Sequence, residues 1–334
     1  MSFVPFADAE VIGDRFLALL DAHGIQPPTG SRIEDELLSL TQLMEVTRNP
    51  NVVPVSARPA VFRAAAGVHD LAAKLLSVEP IAEFAEFLPH LKLISQGKIP
   101  TATLGQNAVS PQSDDTSRKI AELYLACLAA HAGTNVRLDS PTNAKGNNPD
   151  IIFRLEPNSG PARDWAIAIK TISSTSGQTI FERIKEGAAQ VDASACPADV
   201  GIVVINTKSA LDHLALWNAV FPTLDAAGAA LVAQVKALTE AADKDRPCEE
   251  WEAVFAGKVL RPVLFLAQTL VRISTSAGRE TPTALKMLIA HNPCGQPDPE
   301  AHALAVFLNE LMHKVLLGTP GSVSAVGTTG KLPS

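Results

Sequence analysis

Two short apolar runs stand out in the polar–apolar pattern of the chain, at 151–155 and 165–172. Between them lies a turn-rich stretch holding Pro157, Asn158, Gly160 and Pro161. The pattern predicts a β-hairpin with a loop longer than a tight two-residue turn. Side chains alternate along a strand, so Ala166, Ala168, Lys170 and Ile172 share one face, and Ile167, Ile169 and Thr171 the other. Symmetric pairing about Gly160 sets Asp150 opposite Lys170, close enough to interact across the strands. A carboxylate and an ammonium at one end of an apolar hairpin call for a chemical reason.

Upstream, helical spacing predicts helices over 9–23, 33–46, 59–77 and 80–88, with an extended connector at 52–55. Gly24 is the expected stop of the first, Ser31 the expected N-cap of the second, and Pro59 and Pro80 open the other two. The stretch 97–113, rich in Gly, Pro, Thr, Ser and Asn, reads as a boundary or long loop. A helix over 115–131 follows, its apolar stripe running through Ile120, Leu123, Tyr124, Cys127 and His131. Glu122 falls almost opposite that stripe, beside Lys119.

A short strand at 135–138 and a polar turn at 141–148 lead into the hairpin. Next comes a helix over 178–195, with Phe181, Ile184, Ala188, Val191 and Ala195 as its core stripe and Arg183, Glu186 and Gln190 on a polar face. The run 200–206, VGIVVIN, has the continuous apolar character of a strand buried on both faces. A Ser209-capped helix to 220, helices over 224–242 and 248–258, strands within 261–273 and 284–291, and a helix over 299–317 complete the pattern. The predicted fold is therefore α/β: a mixed central sheet flanked by helices. A helical N-terminal module spans 1–100, the α/β unit with its C-terminal extension 111–318, and a Gly/Ser/Thr-rich flexible tail 319–334.

Composition narrows the class. The chain has 334 residues, of which 46% are hydrophobic and 19% charged, enough apolar matter for a sizeable core. A net charge of −7 excludes a global basic field, so any nucleic-acid contact must come from a local cluster of cations. No apolar run approaches membrane-spanning length, and the N-terminus lacks the pattern of a secretory signal. Four cysteines without a CxxC pair read as reduced thiols of a cytoplasmic protein. Cys127 with His131, and His291 with Cys294, have ligand-like spacings, but neither pair has a second pair near it in sequence.

Pro149-Asp150, a hairpin loop and then Ala168-Ile169-Lys170 resemble the motif of the PD-(D/E)XK nucleases. The helix before the hairpin and the helix and strand after it follow that superfamily's order, over roughly 115–206. The resemblance implies a restriction-endonuclease-like core and Mg²⁺- or Mn²⁺-dependent cleavage of DNA, with RNA not excluded. It implies Asp150 as a metal ligand, the Ile169 carbonyl as a second, and Lys170 as the lysine that stabilises charge. Glu122 resembles the acid that many relatives carry on the preceding helix, and Gln190 a glutamine near the site. Arg183 is a candidate phosphate contact.

The motif's second acid belongs at position 168, where this chain has alanine. Three explanations compete: a deliberate Glu- or Asp-to-Ala exchange, relocation of the acid to Glu182 or Glu186, and a degenerate core that only binds. The chemistry itself is understood from first principles. A divalent ion with oxygen ligands activates water and neutralises charge in the transition state, and a nearby lysine assists. A partner acting through the N-terminal helices, and a defence or toxin-like role, are compatible with this organisation. A non-catalytic adaptor or nucleic-acid-binding subunit is the alternative. No P-loop, GxSxG elbow, HExxH or EF-hand pattern is present.

Overall fold

The computed structural model describes residues 9–97, 102–105, 114–142, 148–156, 161–244, 246–275 and 278–314, the side chains of 50 and 114–117 aside. The expected tail therefore lies outside the described residues, as does most of the expected boundary at 97–113.

Four helices come first: α1 (Ala9–Ala22), α2 (Arg32–Arg48), α3 (Arg58–Val78) and α4 (Leu88–Ser95). Gly24 follows α1 with φ +64°, the left-handed conformation expected of a helix stop. Ser31 occupies the N-cap position of α2 without a capping hydrogen bond from its side chain. A 3₁₀ turn at Pro50–Val52 precedes most of the expected connector, where Val53 has extended backbone, and a second at Ala82–Phe87 replaces much of the helix predicted at 80–88. α5 (Asp114–Ala132) then leads to β1 (Thr134–Leu138), β2 (Ile151–Leu155) and β3 (Arg163–Thr171). After these come α6 (Gly177–Asp192), β4 (Val200–Asn206), α7 (His213–Asn218) and β5 (Val220–Phe221). The chain closes with α8 (Leu224–Asp243), α9 (Cys248–Val254), β6 (Val263–Ser274), β7 (Glu280–His291) and α10 (Pro299–His313).

These strands make one mixed sheet in the order β1-β2-β3-β4-β6-β5, with β7 on the other edge of β6. β1, β2 and β3 form an antiparallel meander, β3 runs parallel to β4, and β4 parallel to β6. The two long strands β6 and β7 pair antiparallel along their whole length. An α/β fold with a helix-flanked mixed sheet is what the apolar pattern predicts. One prediction fails locally: Ser209 caps no helix, and α7 starts later, where Asp212 accepts from the Ala215 amide.

The core has two sides. On one, α1 to α5 and α10 pack their apolar residues with Trp165, Ile167 and Ile169 of β3 and Ile202 and Val204 of β4. On the other, α6 and α8 pack against Ala166, Ala168, Val203 and Ile205. The N-terminal helices thus share one continuous core with the sheet. Gly187 of α6 permits close approach, because a methyl there would stand 2.9 Å from Val203 Cγ1 and 3.6 Å from Lys170 Cγ. On the outer edge of the sheet, Asn309 of α10 accepts the Leu288 amide of β7 at 2.8 Å. No described helix is long and apolar enough to cross a membrane.

The thiols depart from expectation. Cys248 and Cys294 form a disulfide that ties the start of α9 to the turn after β7, while Cys127 and Cys196 are free and buried. The sequence gives no geometric clue to this pairing, since 46 residues separate the partners. His131 instead meets Ser77 at 2.9 Å, and His291 meets Asp243 at 3.2 Å. Cys248→Ser is expected to lower unfolding free energy by about 2–4 kcal/mol, the loop-closure effect of a cross-link. Urea unfolding of the oxidised parent and the variant checks this, and equal midpoints would show that the bond contributes nothing.

Candidate functional site

The start of β2 positions the first acid. The Asp150 amide donates to the Ile167 carbonyl at 3.0 Å, and its own carbonyl accepts from Asp139 at 2.9 Å. Its Oδ2 accepts the Ile169 amide at 2.6 Å, pinning the carboxylate against β3. Strand pairing runs Ile151 to Ile167 and Leu155 to Arg163. The paired register ends there, and Asp150 stands one residue before β2.

Pairing symmetric about Gly160 would set Leu155 opposite Trp165; Leu155 pairs with Arg163 instead, so the expected register is corrected by two positions and does not place Asp150 opposite Lys170. The alternation along β3 is as predicted. Ala166, Ala168 and Ile172 pack against α6. Lys170 shares that face at the end of the strand, half-buried beneath Gly187.

Asp150 and Lys170 are electrostatic neighbours even so. Burial, and then the charge of Glu122, raise the Asp150 carboxyl to about 7, against the opposing pull of the Ile169 amide, Lys170 and Lys119. Burial lowers Lys170, opposed by Asp150 and Glu186 and assisted by Arg118 and Arg183. These groups gather where β3 ends beside the N-terminal part of α5 and the face of α6.

Glu122 falls opposite the predicted apolar stripe, on the side that a helix packed on one face turns to solvent. It is fully buried, because α4 covers that side of α5. Lys119, itself buried, donates to both Glu122 oxygens at 2.9 and 2.7 Å. The fully buried His90 of α4 meets Glu122 Oε2 at 3.0 Å, and Arg118 lies 3.6 Å from Oε1. Burial alone would raise the Glu122 carboxyl, but His90 and Lys119 outweigh it and hold it low.

The other candidates divide. Glu182 accepts from Gln178 at 2.9 Å, away from the pair. Exposed Glu186 is bound by exposed Arg183 at 2.6 Å, and of the two candidate acids it is the one whose charge Lys170 feels. Gln190 is buried rather than on a polar helix face, since its side of α6 lies in the packed layer. Lys119 and His90 are the partners of Glu122 that the chain pattern did not single out as site residues. The available signal was α5 itself: Ala121, Leu125, Leu128 and Ala129 are apolar outside the predicted stripe, the mark of a helix covered all round.

The donor set bears on the metal expectation. Asp150 offers a carboxylate already bonded to an amide, Glu122 is held by an ammonium and an imidazole, and position 168 offers a methyl group. Among the described residues, no three of His, Cys, Asp and Glu converge as a metal cage. The residues as they stand do not fit a divalent-ion site. They form an acidic pair with an internal cation.

Asp150 gives a direct pH test. Between about pH 4 and 7 the native protein holds a proton that an unfolded aspartate has lost, so this residue's contribution to stability falls as pH rises through that window. Asp150→Asn removes that dependence and is expected to stabilise the metal-free chain at pH 8 by about 1–3 kcal/mol, discounted for its partial exposure. Unfolding curves of both chains at pH 5 and pH 8 check it, and a constant difference between them contradicts the assignment.

Compared with protein-family models, with curated proteins and with solved structures, the chain finds no match.

Proposed function

We propose that this chain carries a PD-(D/E)XK-type nuclease core whose chemistry is metal-dependent cleavage of phosphodiester bonds, with DNA as substrate, and whose activity is suppressed by alanine at 168. One observation carries the reading. Asp150, one residue before β2, accepts the Ile169 amide, the backbone group that follows position 168, and Lys170 stands at the end of the same strand. The surrounding order of helix, antiparallel strands, helix and parallel strand supports it. A carboxylate at 168 would lie beside Asp150 and make two adjacent acids next to a lysine. Mg²⁺ or Mn²⁺ on such a pair would supply Lewis acidity and an activated water.

Within this reading, a carboxylate at 168 would hold the ion together with Asp150 and the Ile169 carbonyl. Lys170, its ammonium destabilised by burial, offers a positive charge to the scissile phosphate. Exposed Arg183 extends that field toward the substrate. A cytoplasmic location and a protein partner at the N-terminal helices belong to the same reading; α1 and α2 leave Val11, Leu17 and Leu38 exposed. So does a defence or toxin-like role.

The test is Ala168→Glu, assayed on DNA and RNA with Mg²⁺ or Mn²⁺. Metal-dependent cutting that Lys170→Ala abolishes supports the nuclease. A folded variant that cuts neither, with any partner supplied, favours the second reading: a binding or adaptor subunit. That reading draws on the methyl at 168 and on the ammonium seated on Glu122.

A further inference from the structure

The Glu122 cluster has a feature that a merely decayed nuclease does not require. A metal site that had lost one acid would retain two carboxylates repelling each other in a poorly hydrated place. Here the repulsion is answered from within the chain. Lys119 reaches both oxygens of Glu122, at 2.9 and 2.7 Å, and is only 4% exposed. Its position one helical turn before Glu122 makes that contact intrahelical, so it needs no other element to bring the two together. His90, from a different helix, fixes the second oxygen at 3.0 Å, and Arg118 lies beside the first. Lys119 also acts on Asp150, the other half of the pair.

We propose that Lys119 is the resident cation of this site: its ammonium, buried and seated on both oxygens of Glu122, takes the charge-neutralising place of a divalent ion and keeps the chain in a metal-free form. This rests on reading Asp150 and Glu122 as one acidic site.

Exchange of the two cations explains why. A divalent ion brings twice the charge but demands about six oxygen ligands, several of them waters. Lysine demands only hydrogen-bond acceptors, and Glu122 supplies them. With three acids the ion has enough partners to displace the ammonium; with two it does not. Alanine at 168 and lysine at 119 therefore act in the same direction.

The experiment is equilibrium Mn²⁺ binding, by calorimetry and by the electron paramagnetic resonance signal of free Mn²⁺, on the full-length parent and on Lys119→Gln, Lys119→Met and Lys119→Arg. Circular dichroism reports folding of each. Gln and Met at 119 are expected to bind Mn²⁺ at least tenfold tighter than the parent, and Arg, which keeps the charge, to stay as weak as the parent. Folded Gln and Met chains with unchanged or weaker Mn²⁺ binding overturn the proposal, as does a gain shared by Arg. Should Gln and Met unfold without metal, recovery of the native spectrum on adding Mn²⁺ supports it and failure to recover overturns it.

The nuclease reading is tested separately. If the position 119 variants gain Mn²⁺ while Ala168→Glu and Ala168→Glu/Lys119→Gln cut nothing, the resident cation stands and the nuclease falls. If Ala168→Glu cuts while the position 119 variants gain no Mn²⁺, the outcome is reversed.

Discussion

With glutamate at position 168, the chain is expected to cut DNA in Mg²⁺ or Mn²⁺ at least about a hundredfold faster than with alanine, the scale of losing one transition-state contact at a preorganised site. The Asp150 anchor argues for the size of the effect. Its Oδ2 accepts the Ile169 amide at 2.6 Å, so a carboxylate at 168 starts one residue from that contact. The alanine methyl is fully buried, and a longer side chain must reach toward the open end where Lys170 lies. Without metal, the added carboxylate stands close to Asp150, whose carboxyl is already raised by burial and Glu122. The variant is therefore expected to be less stable than the parent in chelator and to regain stability on Mn²⁺ addition, as binding to the folded state requires. Cutting and metal-dependent stabilisation should both appear. A folded Ala168→Glu chain with neither removes the metal-nuclease reading.

Asp70→Ala is expected to lose about 3–5 kcal/mol of stability, the cost of stranding buried cations by removing their partner. Asp70 lies between two buried lysines, 3.3 Å from Lys74 and 2.6 Å from Lys286, and joins α3 to β7. Burial would raise its carboxyl, but the two lysines and Tyr124 hold it below the ordinary range. Lys74 pays for the same burial in the other direction, lowered to about 8, and donates onward to the Lys314 carbonyl. The loss has a pH signature. Above about pH 8, neutral Lys74 no longer needs its counter-ion, so the gap between parent and variant should narrow from pH 7 to pH 9. Denaturant unfolding at the two pH values checks both parts. A variant as stable as the parent at pH 7 would mean that the cluster contributes no net stability.

Much of the fold could be read from the residues because local pattern and burial agree. The run VGIVVIN begins and ends where β4 does, and the face of β3 carrying Ala166, Ala168 and Ile172 packs on α6. Where a reading rested on one face of a helix or on symmetry of a loop, it went astray. Glu122 looked solvent-facing because the residue that covers it, His90, lies 32 positions away on another helix. Gln190 failed for the same reason on α6. The hairpin register slipped by two positions because nothing in the residues from Pro157 to Pro161 marks the centre of symmetry, and Leu155 pairs with Arg163 rather than Trp165. The Cys248–Cys294 bond depends on where α9 and the β7 turn meet, which no spacing rule encodes. Asp150, Ala168 and Lys170 were legible as a group. Lys119 was visible as a neighbour of Glu122, but only the burial of both turns that adjacency into chemistry.

The Asn309 contact to the Leu288 amide has a consequence for the chain before it has finished folding. β7 is the outer strand of the sheet, and an open row of amides there would accept a strand from any neighbouring copy. In a crowded translation environment, α10 and such a neighbour compete for the same edge. Helix docking is intramolecular and strand addition is not, so the outcome depends on chain concentration. Asn309→Ala leaves the amide without its acceptor and shifts that competition. The altered chain should precipitate at lower concentration during synthesis at 37 °C, while its purified native form unfolds close to the parent's midpoint.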